Sequence, residues 1–405
     1  MRTQGNRILV LSHGTPHPHR GASSVVFFLY LEALRSAGYC VLHVSLNDRD
    51  IGSDPDWDEY LEAIGLGDDF SVMRETLPHY FTISRRERSI CPTMPGPGLI
   101  SEIKRFDPDA TVCFDILAAA LAKEMRLPRL LIWLGDLVYQ SSWYNALYDA
   151  ATEPKRVFRL PKTWLYCVFW KNLYRKVLHG EKNVVVASKS SEKLIDELGA
   201  LSRYLPYPWP DAGTRDSSGE KYPVPTFIMF GTLSALGSKS AFFFLLNKVL
   251  PILRKQWGSG GFRILIAGSR NMPDWAKTKL EACREMQFLG FVDDLAGLVA
   301  RCHAVLAPIA VPVGNRSRIV TAMSMGAIVI AHKNTTLGNP ELVAGENCYL
   351  AETAEEFAGY MRQASDPSHQ PWLLGAAARE KYLQTFEPST ATRRFLDRLR
   401  FPFSQ

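Results

Sequence analysis

Gly314-Asn315-Arg316-Ser317-Arg318-Ile319-Val320-Thr321-Ala322-Met323-Ser324-Met325-Gly326-Ala327-Ile328-Val329 lies between two short apolar runs, Ala304 to Pro308 before it and Ala327 to Ala331 at its end. Both runs read as strands, and a glycine-containing turn between them leads into a helix beginning near Arg318. A strand, helix, strand order calls for a parallel sheet, because parallel strands need a crossover connection. The start of such a helix presents unpaired backbone N–H groups and the positive end of the helix dipole. Arg316 and Arg318 add two permanent charges whose forked donors match phosphate oxygens. The bland alternative is that both arginines form ordinary surface ion pairs.

The same grammar extends outward from that stretch. Upstream, Thr226 to Phe230 is a strand, Gly231 to Ser238 a loop and Ala241 to Gln256 a helix. Phe262 to Ala267 is the next strand, closing on Gly268-Ser269-Arg270, and Glu285 to Phe291 supplies another. The first half repeats the plan. Arg7 to Ser12 is a strand, His13 to Gly21 a turn-rich loop, Ser23 to Ser36 a helix closed by Gly38, and Val41 to Leu46 a second strand. Thr111 to Phe114, Arg129 to Trp133 and Asn183 to Ala187 read as further strands, with helices at Leu117 to Glu124 and Ser190 to Leu198. Asn47 to Pro97 mixes acids, Trp57 and prolines and yields no assignment. Tyr204 to Pro225 carries five prolines around a polar Gly/Ser stretch and reads as an inter-domain linker. The expected fold is α/β, with two Rossmann-like doubly wound domains facing a cleft bounded by strand C-termini.

Composition agrees with a globular protein of two or three domains with a sizeable core: 405 residues, 46% hydrophobic and 22% charged. The net charge of +6 suits a phosphate-bearing substrate or an anionic membrane surface, and is common elsewhere. No apolar run approaches the roughly eighteen residues of a membrane span. The polar Met1 to Asn6 runs straight into a strand, so no signal peptide is visible and a cytoplasmic place, or one at the inner membrane face, is expected. The seven cysteines are scattered and never at CxxC spacing, which fits buried thiols in a reducing compartment rather than disulfides or zinc. No GxGxxG follows either first strand, which disfavours a dehydrogenase.

Four segments at characteristic intervals go further than periodicity. Phe230-Gly231-Thr232-Leu233, Phe288-Leu289-Gly290-Phe291-Val292-Asp293-Asp294-Leu295, Ala304-Val305-Leu306-Ala307-Pro308 and the opening stretch together resemble the donor domain of GT-B glycosyltransferases. The last is similar to the signature of family 4 glycosyltransferases and their near relatives. The resemblance covers Thr226 to Phe386, and strand order alone carries it before that. It implies an N-terminal acceptor-side domain over 1–210, a nucleotide-sugar donor domain over 220–386, and a C-terminal helix over 387–405 returning to the first. It also implies transfer of a sugar from a nucleoside diphosphate to a hydroxyl of a glycan or lipid-linked acceptor, with retention. No metal and no resident cofactor is required; the nucleotide sugar is a substrate.

By the same resemblance, the donor-binding set is Gly231, Thr232, Gly268, Ser269, Arg270, Val292, Gly314, Asn315, Arg316, Arg318 and Thr321. Arg316 and Arg318 would hold the diphosphate, and Val292 the base through its backbone. Two departures stand out. Thr321 occupies the place of a ribose-binding glutamate, and Ala310-Val311-Pro312-Val313-Gly314 lacks the upstream acid of the family's pair. They keep two other readings open: a GT-B nucleotide-sugar epimerase, or a non-catalytic scaffold of the same fold.

In the first half, Trp133-Leu134-Gly135-Asp136-Leu137 resembles the family's acceptor-facing segment, so Asp136 either acts on the acceptor hydroxyl or simply caps the next helix. Gly21 and Ala22 open the first helix where small residues let a ligand approach the backbone, unless Ser23 is a plain N-cap. His13, on the acceptor side, shares its loop with His17 and His19, a cluster of loop histidines rather than a metal site. Finally, Lys155 to Lys176 interleaves seven basic residues with Trp164, Tyr166, Phe169, Trp170 and Tyr174. That pattern fits a helix in a lipid headgroup layer or, slightly better, a core-facing helix with solvated charges. No nucleic-acid-binding motif accompanies it.

Overall fold

The computed structural model describes residues 7–47, 55–76, 81–214, 220–268, 270–314 and 316–400. The chain forms two compact units, Met1–Trp209 with Pro388–Gln405, and Pro210–Glu387.

The first unit is built on β1 (Arg7–His13), β2 (Cys40–Asn47), β3 (Phe70–Thr76), β6 (Ala110–Phe114), β7 (Leu130–Leu134), β8 (Val184–Val186) and β9 (Ser202–Tyr204), with a separate antiparallel hairpin of β4 (Phe81–Ser84) and β5 (Ser89–Pro92). The seven-stranded sheet is parallel throughout, in the order β3-β2-β1-β6-β7-β8-β9. Helices cover both faces, so the central strands are apolar on both sides; Ile8, Leu9, Val10 and Leu11 are all buried. The unassigned stretch after β2 holds the helix Pro55–Ile64, β3 and the hairpin. These elements lie at the sheet edge or outside it, and most of their residues keep some exposure. The helix Pro388–Arg400 packs here, Phe395 stacking on Tyr30 at 4.1 Å and on Phe114 at 6.1 Å between ring centroids.

The second unit contains β10 (Thr226–Phe230), β11 (Arg263–Ala267), β12 (Met286–Gly290), β13 (Ala304–Ala307), β14 (Val329–His332) and β15 (Tyr349–Ala351), a parallel sheet in the order β12-β11-β10-β13-β14-β15. Each half is thus a Rossmann-like doubly wound sheet. The helical stretch Leu236–Trp257, which includes a π turn over Leu245–Val249, corrects the sequence reading on one point. With 22 residues and a mean hydropathy of 1.3, it is long and apolar enough to cross a membrane by length and composition. Much of it is core instead: Phe242, Phe243, Leu245, Val249 and Leu253 are buried in the unit. All seven cysteines are free thiols, Cys113, Cys283, Cys302 and Cys348 of them buried.

Candidate functional site

The second sheet reverses direction beside β10. From that strand the chain moves out through β11 and β12, then returns to place β13 on β10's other side. The crevice outside the strand C-termini at such a reversal is where open parallel sheets take ligands. Here the strand ends carry almost no side chain. Gly231 follows β10 with φ +114°, and Gly268 follows β11 with φ +99°, conformations open to glycine and strained for other residues. A Cβ on Gly268 would meet the Gly231 nitrogen at 2.8 Å, and one on Gly231 would meet the Arg318 Cζ at 3.3 Å. No side chain stands between a ligand and the backbone here, although the Gly231 and Gly268 N–H groups themselves donate to Ala267 O and Gly290 O, and a guanidinium lies directly against Gly231.

Arg318 is the second residue of the helix Ser317–Ser324. Its Nη1 donates to Ser238 Oγ at 2.6 Å, in the first turn of the helix Leu236–Phe244. Burial, then the like charge of Arg316, push the Arg318 pKa down to about 10. Among the described residues no carboxylate pairs with it. A cation set between the first turns of two helices, with no acid to neutralise it, suits a phosphate oxygen.

Arg316 behaves differently from its expected partnership. It occupies the N-cap position of the same helix and is buried, its Nη2 donating to Val311 O at 2.6 Å. Its backbone N–H donates to Asn339 Oδ1 at 3.1 Å. The side chain is thus folded beneath its own loop as a brace, and it contributes charge through Arg318 rather than a second open fork. Residues two apart do not share a helix face in any case, and at the N-cap Arg316 has in addition left the helical path, so the two guanidinium groups do not point alike.

The remaining donor-set residues are distributed as follows. Thr232 is exposed beside Gly231, and Gly314 is buried with φ +88°. Thr321 turns its hydroxyl back onto Ser317 O at 3.0 Å. Val292 lies half-buried just past β12, and the exposed Arg270 stands 5.8 Å over the Phe291 ring. Ser269 and Asn315 lie outside the described residues.

The first sheet reverses between β1 and β6, and a different chemistry gathers there. His13 Nδ1, at the end of β1, lies 3.8 Å from Asp115 Oδ2, just past β6. Asp115 was not among the sequence candidates. It holds φ +89°, a costly value for a residue with a side chain, and caps the helix Ile116–Glu124 by accepting from Ile116 N. The available signal was an acid placed directly after a strand and before an apolar helix. Asp136 is exposed past β7, one residue before Leu137 at the N-cap of the following helix. Val138 N donates to the buried Tyr174 hydroxyl at 3.3 Å. Burial first, then the Asp115 and Asp136 charges among others, hold that phenol well above its usual range. Gly21 is itself the N-cap of the helix Ala22–Ser36, without a side-chain cap, so Ser23 is no cap; Gly21 and Ala22 are both exposed.

Behind this loop runs a buried polar chain. Tyr60 and His43 Nδ1 are 2.7 Å apart, His43 Nε2 and Ser12 Oγ 2.9 Å, and Ser12 Oγ donates to Gly14 O at 2.9 Å. Since Ser12 gives its proton to Gly14, it accepts from His43, and Tyr60 donates to the other ring nitrogen. Burial pulls the His43 pKa down to about 3, so the ring is neutral and the chain has one direction. His17 is also tied down. Its Nδ1 accepts from the backbone N–H groups of His19 and Arg20, both at 3.0 Å. The proton therefore sits on Nε2, facing Glu59 at 3.1 Å and Asp56 at 3.8 Å. Arg20 engages the same two acids, so the grouping of His17, Asp56 and Glu59 is knit as an ion-pair network.

Residues 224–366 match the family model described as glycosyl transferases group 1. HepE from Anabaena, solved in complex with UDP, is 16% identical over 97% of this chain and 99% of that one, with a TM-score of 0.62. A glycosyltransferase from Rickettsia africae is 13% identical over 97% of each chain, at 0.65. Sucrose-phosphate synthase from Thermosynechococcus elongatus is 14% identical over 98% of each, at 0.65. Comparison with curated proteins by sequence gives no match. Fold and matched domain define the class of fold, which is the GT-B type. More particularly, the chain's second unit carries a glycosyl transferases group 1 domain.

Proposed function

We propose that the protein transfers a sugar from a nucleoside-diphosphate sugar to a hydroxyl of a glycan or lipid-linked acceptor, with retention at the transferred carbon. The observation that carries this reading is the Arg318 guanidinium, without a carboxylate partner among the described residues, lying against Gly231 where no side chain intervenes. The crystallised HepE holds UDP and UDP-glucose, and a diphosphate is the ligand that this crevice matches chemically. As the glycosyl bond breaks, negative charge gathers on the leaving diphosphate. Donors already fixed around that position, namely Arg318 and the first turn of the helix Ser317–Ser324, stabilise the transition state more than the bound donor.

In a retaining reaction the departing phosphate oxygen takes the acceptor proton, so no strong base is needed. His13, Asp115 and Asp136 then serve to orient an acceptor hydroxyl. The Thr321 hydroxyl is bonded back to Ser317 O, which leaves ribose recognition to other groups, with Val292 holding the base through its backbone. The test is release of nucleoside diphosphate with and without acceptor. Acceptor-dependent release that falls with Arg318→Ala supports transfer. Conversion of the donor sugar with no acceptor present identifies an epimerase instead, and no turnover despite nucleotide binding identifies a scaffold.

A further inference from the structure

Parallel strands need a crossover of about a dozen residues, yet the chain between β7 and β8 runs from Gly135 to Asn183. It forms a pair of packed helices, Val138–Thr152 and, after a short 3-10 turn over Pro154–Arg159, Leu160–Leu178. The second half of the latter behaves as a core helix, with Leu173, Tyr174, Val177 and Leu178 buried. The first half does not. Val157, Phe158, Trp164, Leu165 and Tyr166 are all exposed, Phe158 at 85% and Trp164 at 57%. Leu147 on the first helix joins them, and the helix Val138–Thr152 buries no residue at all.

The charge of this segment is as uneven as its polarity. From Pro154 to Leu178 there are seven Lys and Arg and not one Asp or Glu, so these 25 residues hold more positive charge than the net +6 of the whole chain. Lys155, Arg159, Lys162 and Lys171 form no ion pair among the described residues, and the first three are interspersed with the exposed aromatics. Between the two helices a cleft of about 300 Å³ opens, lined in part by Arg156, Arg159, Thr163 and Tyr166. Arg156 is committed to Asp149 and Glu153. Arg159 is available. Exposed rings and leucine beside unpaired cations are the composition of a helix lying in the interface of an anionic bilayer. There the rings enter the acyl boundary and the cations meet headgroup phosphates.

We infer that the helical pair between β7 and β8 docks the protein on an anionic phospholipid surface, with Phe158, Trp164 and Leu165 entering the interface and Lys155, Arg159 and Lys162 binding headgroups. None of these residues belongs to the donor crevice or to the loops at β1, β6 and β7, so docking stands or falls apart from catalysis. The occupant is set by charge complementarity: a neutral partner leaves the cations without counter-charge, and a nucleic acid leaves Leu165 and Phe158 in water.

The experiment is flotation of the full chain with vesicles of phosphatidylcholine alone and of phosphatidylcholine with phosphatidylglycerol, at low and high salt. Binding is expected to the second kind only and to weaken with salt. Phe158→Glu with Trp164→Glu should abolish flotation, while Lys155→Gln, Arg159→Gln and Lys162→Gln should each weaken it about fivefold. All variants should keep the thermal midpoint and the donor-dependent turnover on a soluble acceptor. Equal flotation on neutral vesicles, flotation unchanged in the Glu variants, or capture of the patch by a second copy or by single-stranded nucleic acid with no vesicle binding would each overturn the inference.

Discussion

The two sheet reversals share a topology and hold opposite chemistries. Beside β10 the strand ends are glycines at φ +114° and +99°, and the charge facing them is a guanidinium with no acid among the described residues. Past β1 the chain also turns on a glycine, Gly14 at φ +86°, but the charged groups gathered there are His13, Asp115 at φ +89° past β6, and Asp136 past the next strand. The first arrangement is suited to an anion that must approach the backbone. The second repels an anion and offers acceptors to hydroxyl groups. One scaffold has been furnished twice, and in the proposed transfer it is the furnishing rather than the scaffold that would separate donor from acceptor.

Four outcomes would break or sharpen that contrast. The largest effect is expected at the cation: Arg318→Ala should lower kcat by about 10²–10³, the cost of losing one donor to a developing oxyanion. Steady-state kinetics with the donor saturating checks this, and Arg270→Ala should fall well short of it because Arg270 is exposed and stands over Phe291. Next is the bareness of the backbone. Gly268→Ala adds a Cβ 2.8 Å from the Gly231 nitrogen at a φ hostile to alanine, so a loss of about 2–3 kcal/mol in stability is expected, read by denaturant titration.

The third outcome tests the support behind the His13 loop. His43 is held neutral with a pKa near 3 against an ordinary 6.5. The unfolded chain therefore binds a proton that the folded chain refuses, and stability falls as pH drops below 6.5. About 2 kcal/mol should be lost by about pH 5, and His43→Gln should flatten that slope even though it disturbs the contacts to Tyr60 and Ser12. The smallest is Asp115→Asn, where a change of about tenfold confined to the acceptor KM is expected, as for an orienting group.

Much of this was legible before any coordinates. Buried parallel strands are continuous apolar runs, so β10, β11, β12, β13 and β14 were placed within about two residues, and the Arg318 motif is contiguous in sequence. The edge elements from Pro55 to Pro92 escaped because half-exposed strands lose that signature, and β15 is three residues long. Orientation escaped as well. Nothing in Arg316-Ser317-Arg318 tells which guanidinium is folded under the loop, because the departure from helical φ/ψ at the N-cap decides it. Asp115 was missed since a positive φ is not written in side-chain polarity. For Lys155 to Lys176 the sequence leaves a headgroup helix and a core-facing helix both open, with a slight lean to the second; its end is core-facing, while the apolar residues of its beginning are outside. Helical spacing gives a face but not what covers it.

The central claim, that the crevice at β10 and not the one at β1 binds the diphosphate, is tested most directly by calorimetric titration of uridine diphosphate into the full chain and two variants. A loss of affinity of tenfold or more in Arg318→Ala, with Asp115→Asn equal to the parent, is the expected result. Undiminished binding in Arg318→Ala would contradict it.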